Sequence, residues 1–112
     1  MRFIARSCLV AIVAAGFGAA ALAAGDPAAG AAVYKANRCQ ICHSVVGQGG
    51  KMGGPLDGVG LKHDADWLRR SIKDPKSVNP KAKMKAFPAL SDKDLDDLVA
   101  YMVSIKPETG KK

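Results

Sequence analysis

The sequence predicts an all-α fold of roughly three to five short helices, on three observations. No run of the chain is rich in residues that favour strands. Helix-start signals stand at Asp26-Pro27, at Asp64 and at Leu90-Ser91-Asp92-Lys93-Asp94-Leu95. Between the first two lies Cys39-Gln40-Ile41-Cys42-His43, two thiols three positions apart with an imidazole directly behind. Thiols at that spacing add to the two vinyl groups of a haem, and the histidine then reaches the iron from one face. The helices are therefore expected to surround one covalently bound haem c, held by two thioether bonds from Cys39 and Cys42, with His43 as an axial ligand.

Other readings of the thiol pair fit less well. A zinc site needs a second ligand pair. The only other cysteine, Cys8, lies far upstream, and His63 alone completes no set of four. A redox dithiol belongs beside a βαβ pattern. Two buried or disulfide-linked cysteines with a chance histidine remain as the bland alternative.

Taken in order, the chain opens with Arg2 and Arg6, an apolar run from Leu9 to Leu22, and the small residues Ala21-Leu22-Ala23. This is the pattern of a secretory signal peptide. Residues 1–23 are expected to be removed, with cleavage after Ala23 or, alternatively, Ala24. The run is short for a membrane span, which needs about 20 residues, so no stable membrane insertion is expected afterwards. Residues 24–112 form the single domain. Losing two arginines leaves 15 basic against 10 acidic side chains. That moderate excess suits an acidic protein partner or membrane surface, whereas no nucleic-acid motif is present. Large side chains are few: after the leader the aromatics are Tyr34, Trp67, Phe87 and Tyr101. A porphyrin would supply the missing flat apolar surface.

Asp26 caps the first helix and Pro27 takes its first position, where a missing N–H costs nothing. Gly30 and Tyr34 are four apart, hence on one face. Ser44 to Gly60 holds seven glycines and reads as an irregular loop. A carbonyl within it, most plausibly that of Pro55, is a candidate to fix the second nitrogen of His43; an ordinary turn proline fits equally. Asp64 caps a helix from Ala65 to Asp74, stopped by Pro75. Trp67 on that helix is core by default, but its indole N–H is also a candidate for a haem propionate. Lys76 to Ala89 reads as a loop. The last helix has a capping box, with Ser91 as cap and Asp94 reaching back. Its apolar stripe is Leu95, Leu98, Val99, Met102 and Ile105.

The candidates for a second axial ligand are Met52, His63, Met84 and Met102. Met102 belongs to the apolar stripe, and Met52 lies close to His43 in sequence. His63 would give a lower potential. Met84 sits in a Pro-flanked loop forty-one residues past His43, long enough to pass round a haem edge. It is the favoured ligand, a soft thioether that raises the potential. Lys81, Lys83 and Lys85 flank it, either as solvated lysines or as a cationic edge that steers a partner.

With these residues in place the chain resembles the class I c-type cytochromes, in particular the small soluble bacterial monohaem ones. The likeness covers nearly the whole chain after the leader. It rests on Gly30 and Tyr34, the Cys39–His43 motif, Gly54-Pro55-Leu56, Met84, and Leu98 with Tyr101. It implies the small cytochrome c fold, a crossing of first and last helices at Gly30, Tyr34, Leu98 and Tyr101, axial His43 and Met84, and a Pro55 carbonyl supporting His43. One departure is Lys85, where many relatives have proline after the ligand methionine.

The function this implies is a periplasmic one-electron carrier between respiratory redox partners, a monomer or member of transient complexes, and not an enzyme. A dedicated electron-transfer subunit of a periplasmic oxidoreductase is the first alternative. A ligand-binding haem sensor is the second.

Overall fold

The computed structural model describes residues 25–107. The expected leader and its cleavage site lie outside the described residues. Helix α1, Pro27–Ala36, starts as its sequence requires: the Asp26 carboxylate accepts the Ala28 N–H at 2.9 Å. A left-handed residue, Arg38 at φ +57°, turns the chain into a short 3₁₀ segment, Cys39–Ile41. Helices α2 (Val59–Lys62), α3 (Ala65–Lys73), α4 (Pro75–Val78) and α5 (Asp92–Ser104) follow. Asp64 caps α3 by accepting from Trp67 N at 2.8 Å, and Ser91 caps α5 by accepting from Asp94 N at 3.1 Å. Among the described residues no helix is long and apolar enough to cross a membrane.

The frame is the crossing of α1 and α5. A Cβ placed on Gly30 would collide with the Asp97 carbonyl and come within 2.7 Å of Tyr101 Cβ. One turn on, the rings of Tyr34 and Tyr101 meet at 5.3 Å between centroids. Glycine thus lets two helix backbones touch, and the tyrosines fill the wedge beside them. Gly30→Val forces the helices apart and is expected to cost at least about 1–3 kcal/mol, the usual range for overpacking. The midpoint of urea unfolding checks this.

Asp97 ties the same crossing electrostatically. It is buried, accepts the Asp26 N–H at 2.8 Å and meets Lys93 Nζ at 2.6 Å. These bonds, the lysine's first, hold its carboxyl below the usual carboxylate range. A depressed folded-state pKa stabilises above the unfolded value of about 3.9 and is lost as pH falls through the folded value. Stability should therefore decline below about pH 4, and less steeply in Asp97→Asn. Urea midpoints across that range test it.

The core lies under this crossing. Leu68 and Ile72 of α3 meet Leu95, Leu98, Val99 and Met102 of α5, with Tyr34, Leu56 and Ile105 at the margins. Met102 is 8% exposed, as its place on the stripe predicts.

Three local readings are corrected. The glycine-rich stretch is not wholly irregular. It forms a small sheet of β1 (His43–Val45), β2 (Gln48–Gly49) and β3 (Gly54–Pro55), in the order β2-β1-β3. The β1–β2 pair is antiparallel and the β1–β3 pair parallel. Positive φ at Val46 and Gly47 reverses the chain between β1 and β2. Gly60 falls inside α2, where a Cβ would sit 2.9 Å from Val103 Cα, so glycine lets α2 approach α5 closely. Pro75 does more than stop α3: it opens α4, a position where proline needs no donor.

Candidate functional site

A cavity of about 750 Å³ opens among the thiol segment, the sheet, α3, α4 and the loop after α4. Cys39, Cys42, His43 and Met84 all border it, over a floor that includes Leu68, Ile72, Leu98 and Met102. Cys39 is half-buried and burial pushes its thiol pKa up; Cys42 is exposed. Both are free thiols.

His43 is held on several sides. Its Nδ1 lies 3.1 Å from the Gly54 carbonyl. A carbonyl can only accept, so Nδ1 carries the proton and Nε2 keeps its lone pair for a metal. Gly53 packs against the ring, since a Cβ there would lie 2.5 Å from Cε1. Behind it, the Tyr34 hydroxyl donates to the His43 carbonyl at 3.5 Å. Burial, then nearby Cys39 and Tyr101, push the Tyr34 phenol up to about 12, so it stays a donor at neutral pH. The loop is buttoned to the thiol segment by Gly50 N to Gln40 O at 2.9 Å and Gly53 N to Cys42 O at 2.6 Å.

The carbonyl expected from Pro55 is supplied by Gly54 instead. Parallel pairing sets His43 opposite Gly54 and Ser44 opposite Pro55. Gly54 takes φ +77°, which proline's ring forbids. Pro55 itself borders the cavity.

All four candidates for a further ligand border the cavity. Met102 is buried in the core and Met52 is 93% exposed beside Gly53. His63 stacks on Trp67, 3.5 Å between ring centroids and 9° from parallel. Met84 is 38% exposed and lies outside any helix, in a segment anchored by Phe87 N to Ile72 O at 3.0 Å. Trp67 is half-buried and borders the cavity. Sequence reasoning missed the contact of Gly53, the Gly54 carbonyl and the His63–Trp67 stack. The glycine density was the available signal for the first two, because glycine marks close backbone approach.

The charges are segregated. Arg38, Lys62, Lys83 and Lys85 border the cavity, and no carboxylate of the described residues does. Three of the four acidic residues of α5 are paired elsewhere: Asp96 with Arg69, Asp97 with Lys93, Asp92 with Lys73 at 3.8 Å. Lys81 does not reach the cavity wall.

These residues fit a haem: an apolar slot, two thiols at one side, an imidazole with a free Nε2, and thioethers within the same walls. Comparison with known proteins agrees. Residues 25–102 match the family described as cytochrome c oxidase, cbb3-type, subunit III. Cytochrome c-554 of Methylosinus trichosporium is 31% identical over 82% of this chain and 84% of its own. Cytochrome c oxidase subunit 2 of Alkalihalophilus pseudofirmus is 32% identical over 69% of this chain, which spans only 25% of that protein. Two crystal structures share the fold. SoxXA from P. pantotrophus aligns with a TM-score of 0.65 at 22% identity, over 75% of this chain and 84% of that one. Ferric cytochrome c-550 from Paracoccus versutus aligns with 0.56 at 24% identity, over 74% and 99%. By its match along residues 25–102 and its likeness to cytochrome c-554, the chain belongs to the c-type cytochromes, monohaem electron-transfer proteins whose haem c is covalently attached.

Proposed function

We propose that this protein is a periplasmic one-electron carrier, exported by residues 1–23 and folded from residue 24 onward. Its haem c is bonded to Cys39 and Cys42, with His43 and Met84 as axial ligands. The observation that carries this reading is the tethered His43 ring, with Nε2 free, in one apolar cavity with both thiols and Met84. When bound, haem c supplies a one-electron couple at its iron. The chain supplies the rest. Gly54 and Gly53 orient the imidazole, which limits rearrangement between redox states. The apolar floor excludes water, and Trp67 at the cavity wall would contact the cofactor's polar edge. With His43 and Met84 both holding the iron, no open coordination position would remain for a substrate, which supports a carrier over an enzyme.

Partners would dock at the cationic cavity mouth, where Arg38, Lys62, Lys83 and Lys85 attract an acidic surface in transient contacts. Oxidation of the reduced protein by anionic hexacyanoferrate(III) is expected to slow steeply as salt rises. Oxidation by a cationic cobalt(III) complex should quicken. Stopped-flow rates against ionic strength check both, and salt-independent rates would remove the docking model. A dedicated subunit is the second reading. It is favoured by likeness to oxidase subunits and to SoxXA, and gel filtration of the native material separates it from a free carrier.

A further inference from the structure

The first described residue is wedged into the crossing of α1 and α5. A Cβ placed on Gly25 would collide with the Asp96 carbonyl and lie 2.6 Å from the Asp97 nitrogen, so the chain enters here with its bare backbone against α5. The next amide, Asp26 N–H, donates to the buried Asp97 carboxylate at 2.8 Å. The nitrogen of Gly25 is one residue from that bond, and the nitrogen of Ala24 is two.

Acid outweighs base at this place. Asp26 stands before α1, and Asp94, Asp96 and Asp97 stand on α5. Two cations answer them: Lys93 meets Asp97 at 2.6 Å, and Arg69 of α3 pairs with Asp96. Among the described residues neither Asp26 nor Asp94 has an ion-pair partner. Both act at longer range on Lys93, whose ammonium is already given to Asp97.

We propose that the α-ammonium group released by leader cleavage is a further cation for this cluster, and that it locks the first helix onto the last. The proposal rests on the reading above that residues 1–23 are a removable leader. Cleavage is hydrolysis by a signal peptidase of the peptide bond before Ala24 or, alternatively, Gly25. The carbonyl carbon takes the hydroxyl of water, and the nitrogen takes the hydrogen and then a proton from solvent. A neutral amide thereby becomes a cation within two residues of the Asp26–Asp97 bond. Because Asp97 is 4% exposed, this attraction is screened less than a surface pair would be. Removing the leader thus strengthens the crossing that frames the fold, and the precursor holds it less firmly.

The pH dependence has a definite sign. An amine held among carboxylates titrates above its ordinary range of about 7.7–8.0. Its stabilisation is complete below that range and is lost as pH rises through the folded-state value. The neighbouring charges stay fixed meanwhile, because Lys93 and Arg69 are both raised by their carboxylate partners and Asp97 is lowered by Lys93.

The test compares two holoproteins: the wild type, and a variant with Ser-Gly-Ser-Gly inserted between Ala24 and Gly25, which moves the amine away without changing any charge. The mass and haem spectrum of each are recorded first. At pH 7 the urea unfolding constant should be about three- to tenfold larger in the insertion variant, and at about pH 9.5 the two should converge. Independently, carbon-13 NMR of the first residue of the wild type should titrate above the ordinary α-amine range. Equal stability at both pH values would overturn the proposal, and so would a loss in the variant that is the same at both, which would report crowding by the insert. An α-amine that titrates in its ordinary range would overturn it as well. A mass that still includes residues 1–23 would instead overturn the export reading, and a missing haem spectrum the reading of the cavity.

Discussion

Met84→Ala should convert an inert cytochrome into one that binds carbon monoxide. The wild-type iron would be closed on both faces, by His43 and by the Met84 thioether. Alanine cannot coordinate, so the reduced variant opens one position to a small ligand at neutral pH. The ferric near-infrared band that reports thioether ligation should disappear with it. Met84→His should restore a closed site with a harder donor. Axial ligand identity spans about 0.8 V of haem potential, so the midpoint is expected to drop by roughly 0.2–0.4 V. The choice of Met84 follows from where its rivals sit: Met102 is packed in the core, His63 is stacked on Trp67, and Met52 adjoins the glycine that presses on the His43 ring. If Met84→Ala leaves the near-infrared band and the carbon monoxide inertness intact, the sixth ligand is another residue.

Cys39→Ala with Cys42→Ala should leave a chain without cooperative thermal unfolding. Among the described residues the buried core is small: nine apolar side chains, of which Leu68 and Leu95 are the large, wholly enclosed ones. The remaining apolar surface faces a cavity of about 750 Å³. Without the cofactor these apolar walls face water across an open cavity, and a domain stable by only ~5–15 kcal/mol has little margin for that lost burial. The haem-free chain is therefore expected to collapse or loosen. Near-ultraviolet circular dichroism around Trp67 on heating tests this; a sharp transition near the wild-type temperature would show that the polypeptide specifies its fold without the cofactor.

How much of this was legible in the sequence depends on the range of the interaction involved. Helices α1, α3 and α5 were legible because Asp26, Asp64 and Ser91 act within three residues of themselves. The meeting of Gly30 and Tyr34 with the last helix came from likeness to a known family, since a residue pattern alone does not say which helix answers it. The small sheet was hidden because its pairing depends on positive φ at Val46, Gly47 and Gly54, and on a parallel contact eleven residues apart in sequence. The Gly54 carbonyl was misassigned by one residue for the same reason. The His63–Trp67 stack joins the residue before the Asp64 cap to the third residue of the helix, a contact that no capping pattern predicts. The motif from Cys39 to His43 was plain because its chemistry needs only local spacing.

The most direct measurement is the mass and colour of the exported, matured protein after denaturation and solvent extraction. The account predicts a mass equal to the polypeptide from Ala24 or Gly25 plus one haem, with colour that stays with the unfolded chain. A colourless preparation, with the mass of polypeptide alone or with haem that washes away, would contradict it.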